Sequence, residues 1–545
     1  MKRFLTIAFA LILSAAALSA QEQASYYPRQ AEWLEMAYQM RPVLHETVVC
    51  PVGAVRAVQD PAAYQGWRYE PCEGWEGMEN RSFREIKEIT LDFGRHYTGY
   101  FTFRIKSLRD CMDGPIRLRL LFGEMPSEMN TPLDPWPEGC LSRGWMQEEI
   151  LTIINTDQDI TLPRRMSFRY LKIELLGTSQ SYEWAIDHIS FRAVSSAKDV
   201  KTALQPDAPQ IIQDINRVSI ETLRECMQTF FEDGPKRDHR LWIGDLYLQS
   251  LANAYSFQNW DLVRRCLYIF AALADPTDGR LHGNVFEDPM LHPQYQNYMM
   301  TYALLYNSTL LQYIRDTGDL ETARDLWPVA RRQVEDALFS VGDDYIYDMA
   351  RKPSWCFIDW RDGLDATACV QGAVIFGLEE TYAVAEALGC TAEVKEWPKI
   401  AAKMKKAAYR RYFDKGSGMF LSNGQASVQS QMWMVMAGVP SAKEGAAALR
   451  NALSSENALK PGTPYATHYL VEAMLRCGMN DEAHDYLVDY WGGMVRKGAD
   501  TFWEAYDPGN DNISPYGFTP VNSACHAWSC TPVYFIHKYP EIFQK

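Results

Sequence analysis

Ile211-Ile212-Gln213-Asp214-Ile215-Asn216-Arg217-Val218-Ser219-Ile220-Glu221-Thr222-Leu223 sets apolar side chains three, four and seven residues apart, the spacing that lines one face of an α-helix. Upstream the period is different. Gly99-Tyr100-Phe101-Thr102-Phe103-Arg104-Ile105 alternates apolar and polar residues, as do the stretches 88–93 and 116–122. A period of two interrupted by turn residues predicts the strands of an antiparallel β-sandwich. The change of period near Lys201 divides the chain into a β-sandwich domain over 26–200 and a helical domain over 201–545.

Outward from these two stretches the same patterns continue. The β half opens with a short helical lead-in at 31–39 and carries further strands at 149–154, 166–175 and 185–192. The Pro- and Gly-rich segment 125–144 reads as a long loop. Helical periodicity recurs at 211–231, 245–255, 262–273, 298–316, 320–341, 366–388, 391–412, 428–436, 443–453, 467–477, 481–490 and 523–537. Helices in that number, joined alternately by short and long connections, predict six hairpins closed into an (α/α)6 toroid. A solenoid would show a repeat of roughly 30–45 residues, and none is visible. In such a toroid the inner helices converge on a funnel, so chemistry belongs at helix starts and in the long loops.

At the amino terminus Met1-Lys2-Arg3 precedes an apolar run from Phe4 to Leu18 and then Ser19-Ala20-Gln21. This pattern predicts a signal peptide over 1–20, cleaved after Ser19 or Ala20, with no Cys to accept a lipid and with export to the periplasm or the medium. The run is shorter than the ~20 residues of a membrane-spanning helix, and no later segment is long and uncharged enough to span, so no membrane partner is expected. A net charge of −15 and a pI near 5.3 exclude nucleic acid as a partner, because its phosphates demand a basic face. The 12 Cys include no CxxC spacing, which excludes a zinc ribbon or a thioredoxin motif. Neither a metal nor a cofactor is expected. The chain is 13% aromatic, with 16 Trp, and such planes stack on the apolar faces of sugar rings, which favours a carbohydrate substrate.

Acids gather in two places. The first is Glu232-Asp233-Gly234-Pro235-Lys236-Arg237-Asp238-His239-Arg240-Leu241-Trp242-Ile243-Gly244-Asp245, a tight turn between two helices, with Asp245 placed to cap the second. The second is Asp500-Thr501-Phe502-Trp503-Glu504-Ala505-Tyr506-Asp507, a carboxylate set among aromatics. Glycoside hydrolysis needs two carboxyl groups flanking the scissile bond, roughly 6.5–9.5 Å apart if water enters between base and sugar. One acid from each place would supply them. Ser354-Trp355-Cys356-Phe357-Ile358-Asp359-Trp360 offers a sugar-holding wall, and His526, at the start of the predicted last helix, a donor to a hydroxyl.

These motifs, in this order, resemble the bacterial α-L-rhamnosidases of glycoside hydrolase family 78. The family carries an Asp-x-Pro-x-Arg-Asp-Glu-Arg loop ending in Trp-x-Gly-Asp, followed here from Asp233 to Asp245 with one residue fewer. It also carries the Trp-Glu pair met at Trp503-Glu504, an Asp-Trp pair met at Asp359-Trp360, and the Ser-x-x-His met at Ser523 to His526. The resemblance implies Glu504 as general base and Asp233 and Asp245 as binders of rhamnose hydroxyls. It breaks at the general acid, where the family has Glu and this chain has His239. Asp238 is then the candidate proton donor, with Glu232 and His239 in reserve. The expectation is an inverting removal of terminal α-L-rhamnose, with Arg237 holding carboxylates through its planar fork and Trp242, Trp360 and Trp503 packing on the sugar. Two other readings stand beside it: another glycan-cleaving toroid enzyme, such as a lyase with an ultraviolet-absorbing product, and a catalytically silent carbohydrate binder.

Overall fold

The structure, a computed structural model, describes residues 25–73, 76–109 and 112–545. The expected signal peptide lies outside the described residues. Alternating apolar side chains pair nine strands antiparallel: β1 (His45–Val49), β2 (Gly53–Gln59), β3 (Trp67–Cys72), β4 (Glu88–Ser107), β5 (Ile116–Gly123), β6 (Glu148–Ile153), β7 (Asp159–Thr161), β8 (Met166–Gly177) and β9 (Trp184–Ser195). The two sequence runs at 88–93 and 99–105 are one continuous strand. Its first part pairs with β2 and β8 and its second with β7 and β9, with a register shift between Asp92 and Tyr97. A bulge of this kind bends a strand. It folds the sheet over one core in which Phe93, Phe101, Phe122, Phe168 and Phe191 meet edge to face.

The helical half forms two concentric rings. Helices α2 (Gln210–Cys226), α4 (Trp260–Ala272), α6 (Leu320–Phe339), α8 (Trp397–Tyr412), α10 (Ala442–Ser454) and α12 (Asn480–Arg496) make the outer ring. Between them run α3 (Ile243–Ala254), α5 (Met300–Thr317), α7 (Thr367–Leu388), α9 (Val428–Met436), α11 (Pro464–Arg476) and α13 (Pro532–Lys538), each packed against its inner neighbours until α13 returns to α3. Every residue of α3 and α9 is buried, whereas α10 buries Gly445, Ala446, Ala448, Leu449 and Ala452 on one face. A helix apolar all round belongs inside, and one with a single stripe outside. The lead-in helix α1 (Gln30–Gln39) packs against α4, with Trp33 in the core of the helical half, and so flanks the toroid although it precedes the sheet.

Three expected helices differ. The first ends at Cys226 because Met227 turns to bond the β domain, accepting the Ser196 N–H at 2.8 Å. The segment 391–412 breaks into a short 3-10 turn and α8, whose first turn carries Pro398. The last begins at Pro532 rather than at residue 523: His526 precedes a 3-10 turn at Ala527–Ser529 and does not start an α-helix.

The inner ring closes tightly at Gly372 on α7, where a Cβ would lie 2.6 Å from the Trp433 carbonyl oxygen of α9. That obstacle is backbone and cannot swing aside. Replacing Gly372 by Ala is expected to lower stability by about 1–3 kcal/mol, the cost of overpacking, read as a drop in the denaturation midpoint. An unchanged midpoint would mean that the two helices are free to separate.

Candidate active site

Loop 233–240 closes on itself. The Asp233 N–H donates to the Arg240 carbonyl at 2.9 Å, and the Arg240 N–H returns to Asp233 Oδ1 at 3.2 Å. The reversal puts His239 at φ +52, a left-handed conformation costly for a residue with a Cβ. Leu241 and Trp242 then pair with Val285 and Asn284 before α3 begins. Asp245 lies in the first turn of α3 but does not cap it: Trp242 occupies the N-cap, and no side chain bonds there.

Glu504 comes from the opposite side. Its segment pairs with 523–526, the Glu504 N–H donating to the Ser523 carbonyl at 2.9 Å and the His526 N–H to the Phe502 carbonyl at 2.9 Å. The two loops touch at Gly234, where a Cβ would meet Ser523 Oγ at 2.9 Å. Between them opens a small cavity. Asp233, Arg237, Asp238, Asp245, Glu504, Tyr516 and His526 line it with polar groups, and Trp242, Tyr302, Phe357, Trp360 and Trp528 with aromatic faces.

Arg237 organises the charges. Its guanidinium is 3.0 Å from Glu504 Oε1, 3.2 Å from Asp238 Oδ1 and 2.8 Å from the Tyr516 hydroxyl, and it lies over the Tyr516 ring at 4.3 Å. Glu504 also accepts from the Tyr516 hydroxyl on Oε1 and from the Ser523 N–H on Oε2 at 3.1 Å. Burial works against the charge of Glu504, but Arg237 and these two donors outweigh it and hold the carboxyl below its usual range. At Asp233 burial is reinforced by the nearby acids Asp238 and Asp245, and the pKa rises well above the usual range. Burial also drives Asp245 well up. Burial pushes His526 down to about 4, so it is neutral.

The buried end of the cavity is left short of partners. His526 stands 3.7 Å from Asp245 and 3.8 Å from Asp233, too far for hydrogen bonds. Asp245 Oδ1 and His526 Nδ1 have no partner. Buried polar atoms without partners are rare, and here they face space that ligand hydroxyls would fill. Among the described residues no group of His, Cys, Asp and Glu is arranged to hold a metal ion.

Eight of the eleven site residues named from the sequence meet at this cavity: Asp233, Arg237, Asp238, Trp242, Asp245, Trp360, Glu504 and His526. Three stand elsewhere. His239 is outside the lining, its pKa lowered well below the usual range by burial and by the neighbouring Arg165. Asp359 instead accepts from Thr463 at 2.6 Å and from the Gly462 N–H and Gln429, each at 2.8 Å, tying its loop to the start of α11. Trp503 stacks on Tyr64 of the β domain at 4.3 Å. The reserve acid Glu232 is paired with Arg165 at 2.7 Å and is likewise outside the lining. Sequence reasoning missed Tyr516, whose signal was an aromatic in the Pro- and Gly-containing loop after Glu504, and assigned no role to Tyr302 or Trp528.

Two family profiles match the chain: the glycosyl hydrolase family 78 alpha-rhamnosidase N-terminal domain over residues 51–193, and the bacterial alpha-L-rhamnosidase 6 hairpin glycosidase domain over residues 207–539. No curated protein matches by sequence. Among solved structures, a rhamnosidase from Klebsiella oxytoca with rhamnose bound is 37% identical, with 94% of this chain and 99% of that one covered and a TM-score of 0.89. The family 78 rhamnosidase of Bacillus sp. GL1 is 20% identical over 83% of this chain and 46% of its own, with a TM-score of 0.69. The α-L-rhamnosidase of Streptomyces avermitilis is 15% identical over 92% and 44%, with a TM-score of 0.66, and like the preceding one it shares the fold. With the β half and the six-hairpin half each matched, and a 37% identical rhamnosidase spanned almost end to end, the chain belongs to the bacterial α-L-rhamnosidases of glycoside hydrolase family 78 and is a glycosidase.

Proposed function

We propose that the protein is an exported α-L-rhamnosidase that removes terminal α-L-rhamnose by an inverting mechanism, with Glu504 as general base and Asp238 as general acid. The observation that carries this reading is that both carboxylates border one cavity and are bridged by Arg237. Glu504, held ionised, takes a proton from water as the water oxygen bonds to the anomeric carbon. The bond from that carbon to the glycosidic oxygen breaks, and the proton of Asp238 goes to the departing oxygen. The two carboxyls end with their protonation exchanged and reset through solvent, which Asp238 reaches with a side chain 15% exposed. Glu232 and His239 lack this access to the cavity, which favours Asp238 over both.

The choice of sugar rests on how polarity is divided. Asp245 and His526 offer unfilled hydrogen-bonding atoms beside Asp233 at the buried end, while Trp242, Tyr302, Phe357, Trp360 and Trp528 present apolar faces to a ring and a methyl group. A 6-deoxy sugar has that division of surface, and the 37% identical Klebsiella oxytoca rhamnosidase has rhamnose bound. Export rests on the basic, apolar and small-residue pattern of residues 1–20. No helix among the described residues is long and apolar enough to cross a membrane.

Incubation with p-nitrophenyl α-L-rhamnoside is expected to release rhamnose that appears first as the β-anomer by NMR. Glu504→Gln and Asp238→Asn should each lower kcat by about a hundredfold or more with folding intact. Retention of the α-anomer would sink the inverting mechanism, and full activity in Asp238→Asn would remove it as the acid. Because Glu504 must be ionised and its carboxyl is held low, activity should be lost only as pH falls through a value below the ordinary ~4.3 of glutamate. Tyr516→Phe deletes a hydrogen bond to the ionised form, so the acid limb of kcat/KM should move up by roughly one pH unit; a limb that stays put would show that Glu504 does not set it. In a Gram-negative host, osmotic shock or the medium should release a chain whose first residue is Ala20 or Gln21, and an intact Met1 in the cytoplasm would contradict export.

A further inference from the structure

We propose that Glu124, a carboxylate of the β domain, is a positioning residue for the catalytic pair, clamping together the two loops that hold Glu504 from its two sides. The proposal rests on the two-carboxylate reading above. Glu124 follows the last residue of β5, its side chain is 1% exposed, and it is not among the residues lining the cavity. It therefore touches no substrate. Its Oε2 accepts the Ala524 N–H at 2.5 Å and lies 3.6 Å from Lys236 Nζ. Lys236 in turn donates to the carbonyls of Pro520 at 3.0 Å and Asn522 at 2.8 Å, and pairs with Glu128 at 2.8 Å.

The register of these contacts is what gives Glu124 its reach. Glu504 is held by the Ser523 N–H on one oxygen and by Arg237 on the other. Ala524, bonded to Glu124, is the residue after Ser523; Lys236, beside Glu124, is the residue before Arg237. Each hold on Glu504 is thus one peptide unit from a group gathered at the same β-domain carboxylate. Glu124 is itself fixed from behind. His96 of β4 is 3.0 Å from its Oε1, and Glu128 Oε2 accepts its N–H at 2.8 Å. His96 also has Glu225 of α2 3.9 Å from its other ring nitrogen.

Such a cluster is a poor way to gain stability. Two cations and several carboxylates are taken out of water, and apolar side chains of similar volume would commonly hold a junction as well or better. What charged, directional bonds add is a fixed geometry, and here that geometry ends at the catalytic base. Catalysis is sensitive to it, since a misplacement of about 1 Å can cost on the order of a hundredfold in rate.

The test compares E124A and E124Q with F103L, which disturbs the core of the β domain without touching these groups, all in the full chain. Steady-state release of p-nitrophenol from the α-L-rhamnoside gives kcat and KM, and hydrogen exchange is followed in peptides covering 232–240 and 520–528. For E124A, kcat per folded molecule should fall about tenfold or more, a larger change than that in KM, because misplacing the catalytic pair acts chiefly on the transition state. Exchange should quicken in those two segments and not through the rest of the toroid. E124Q, which keeps an acceptor for Ala524 but no charge for Lys236, should fall between E124A and the parent, and F103L should match the parent in both readouts. An unchanged kcat in E124A, or equal loosening of the two segments in F103L, would overturn the proposal. If the parent chain itself releases no rhamnose, the functional reading fails; exchange in E124A then decides alone, and its failure to rise in the two segments overturns the clamp.

Discussion

The buried pairing of Arg237 with Glu504 is the constraint around which the site is arranged. Neither charge could be left alone there: removing one partner of such a pair costs about 3–5 kcal/mol, because the other stays buried and uncompensated. The same guanidinium reaches Asp238 and lies over Tyr516, so the first acidic loop, the Glu504 segment and the loop that carries Tyr516 cannot be placed independently. The toroid supplies the rigid wall, with α3 starting directly beneath Trp242 and the Ala527–Ser529 turn behind His526.

The same side-chain group behaves in two opposite ways within this small space. Asp233, Asp245 and Glu504 are all deeply buried, yet burial drives the two aspartates up while Glu504 is held down. The difference is a cation and two well-aimed donors, not depth. Carboxyls pushed apart in this manner can serve different purposes at one pH: one shifted up keeps its proton to higher pH and can donate it to a hydroxyl, whereas one held low is free to take a proton.

Much of this was legible in the sequence because the elements are long and strongly periodic. The inner and outer helices announce themselves by apolar spacing, and the β half by its alternation. What was lost lies where tertiary contacts override local pattern. Nothing local at Met227 tells that its carbonyl will bond Ser196 of the β domain, which ends α2 early. At two helix starts a visible signal went unused, since Pro398 and Pro532 stand in the first turns of α8 and α13, a position proline favours. In the site, adjacency in sequence misled. Trp503 and Glu504 are neighbours in sequence, yet the glutamate enters the cavity and the tryptophan meets Tyr64. Asp359 and His239 drew notice as polar residues among aromatics or acids, but only the folded chain reveals that the first is fully engaged by Gly462, Thr463 and Gln429. Tyr516 depended on a loop closing back over Glu504, which no spacing encodes.

The cavity has its unfilled polar groups at the buried end and its most exposed lining residue, the 45% exposed Trp355, at the mouth. If the cut frees a terminal rhamnose, as proposed, the monosaccharide sits deeper than the fragment it came from and leaves after it. Each turnover is then a separate encounter, and the freed sugar, still matched to the deep contacts, competes with the next chain end for them. On that reading, inhibition by the released sugar is the consequence of setting the unfilled polar groups at the buried end.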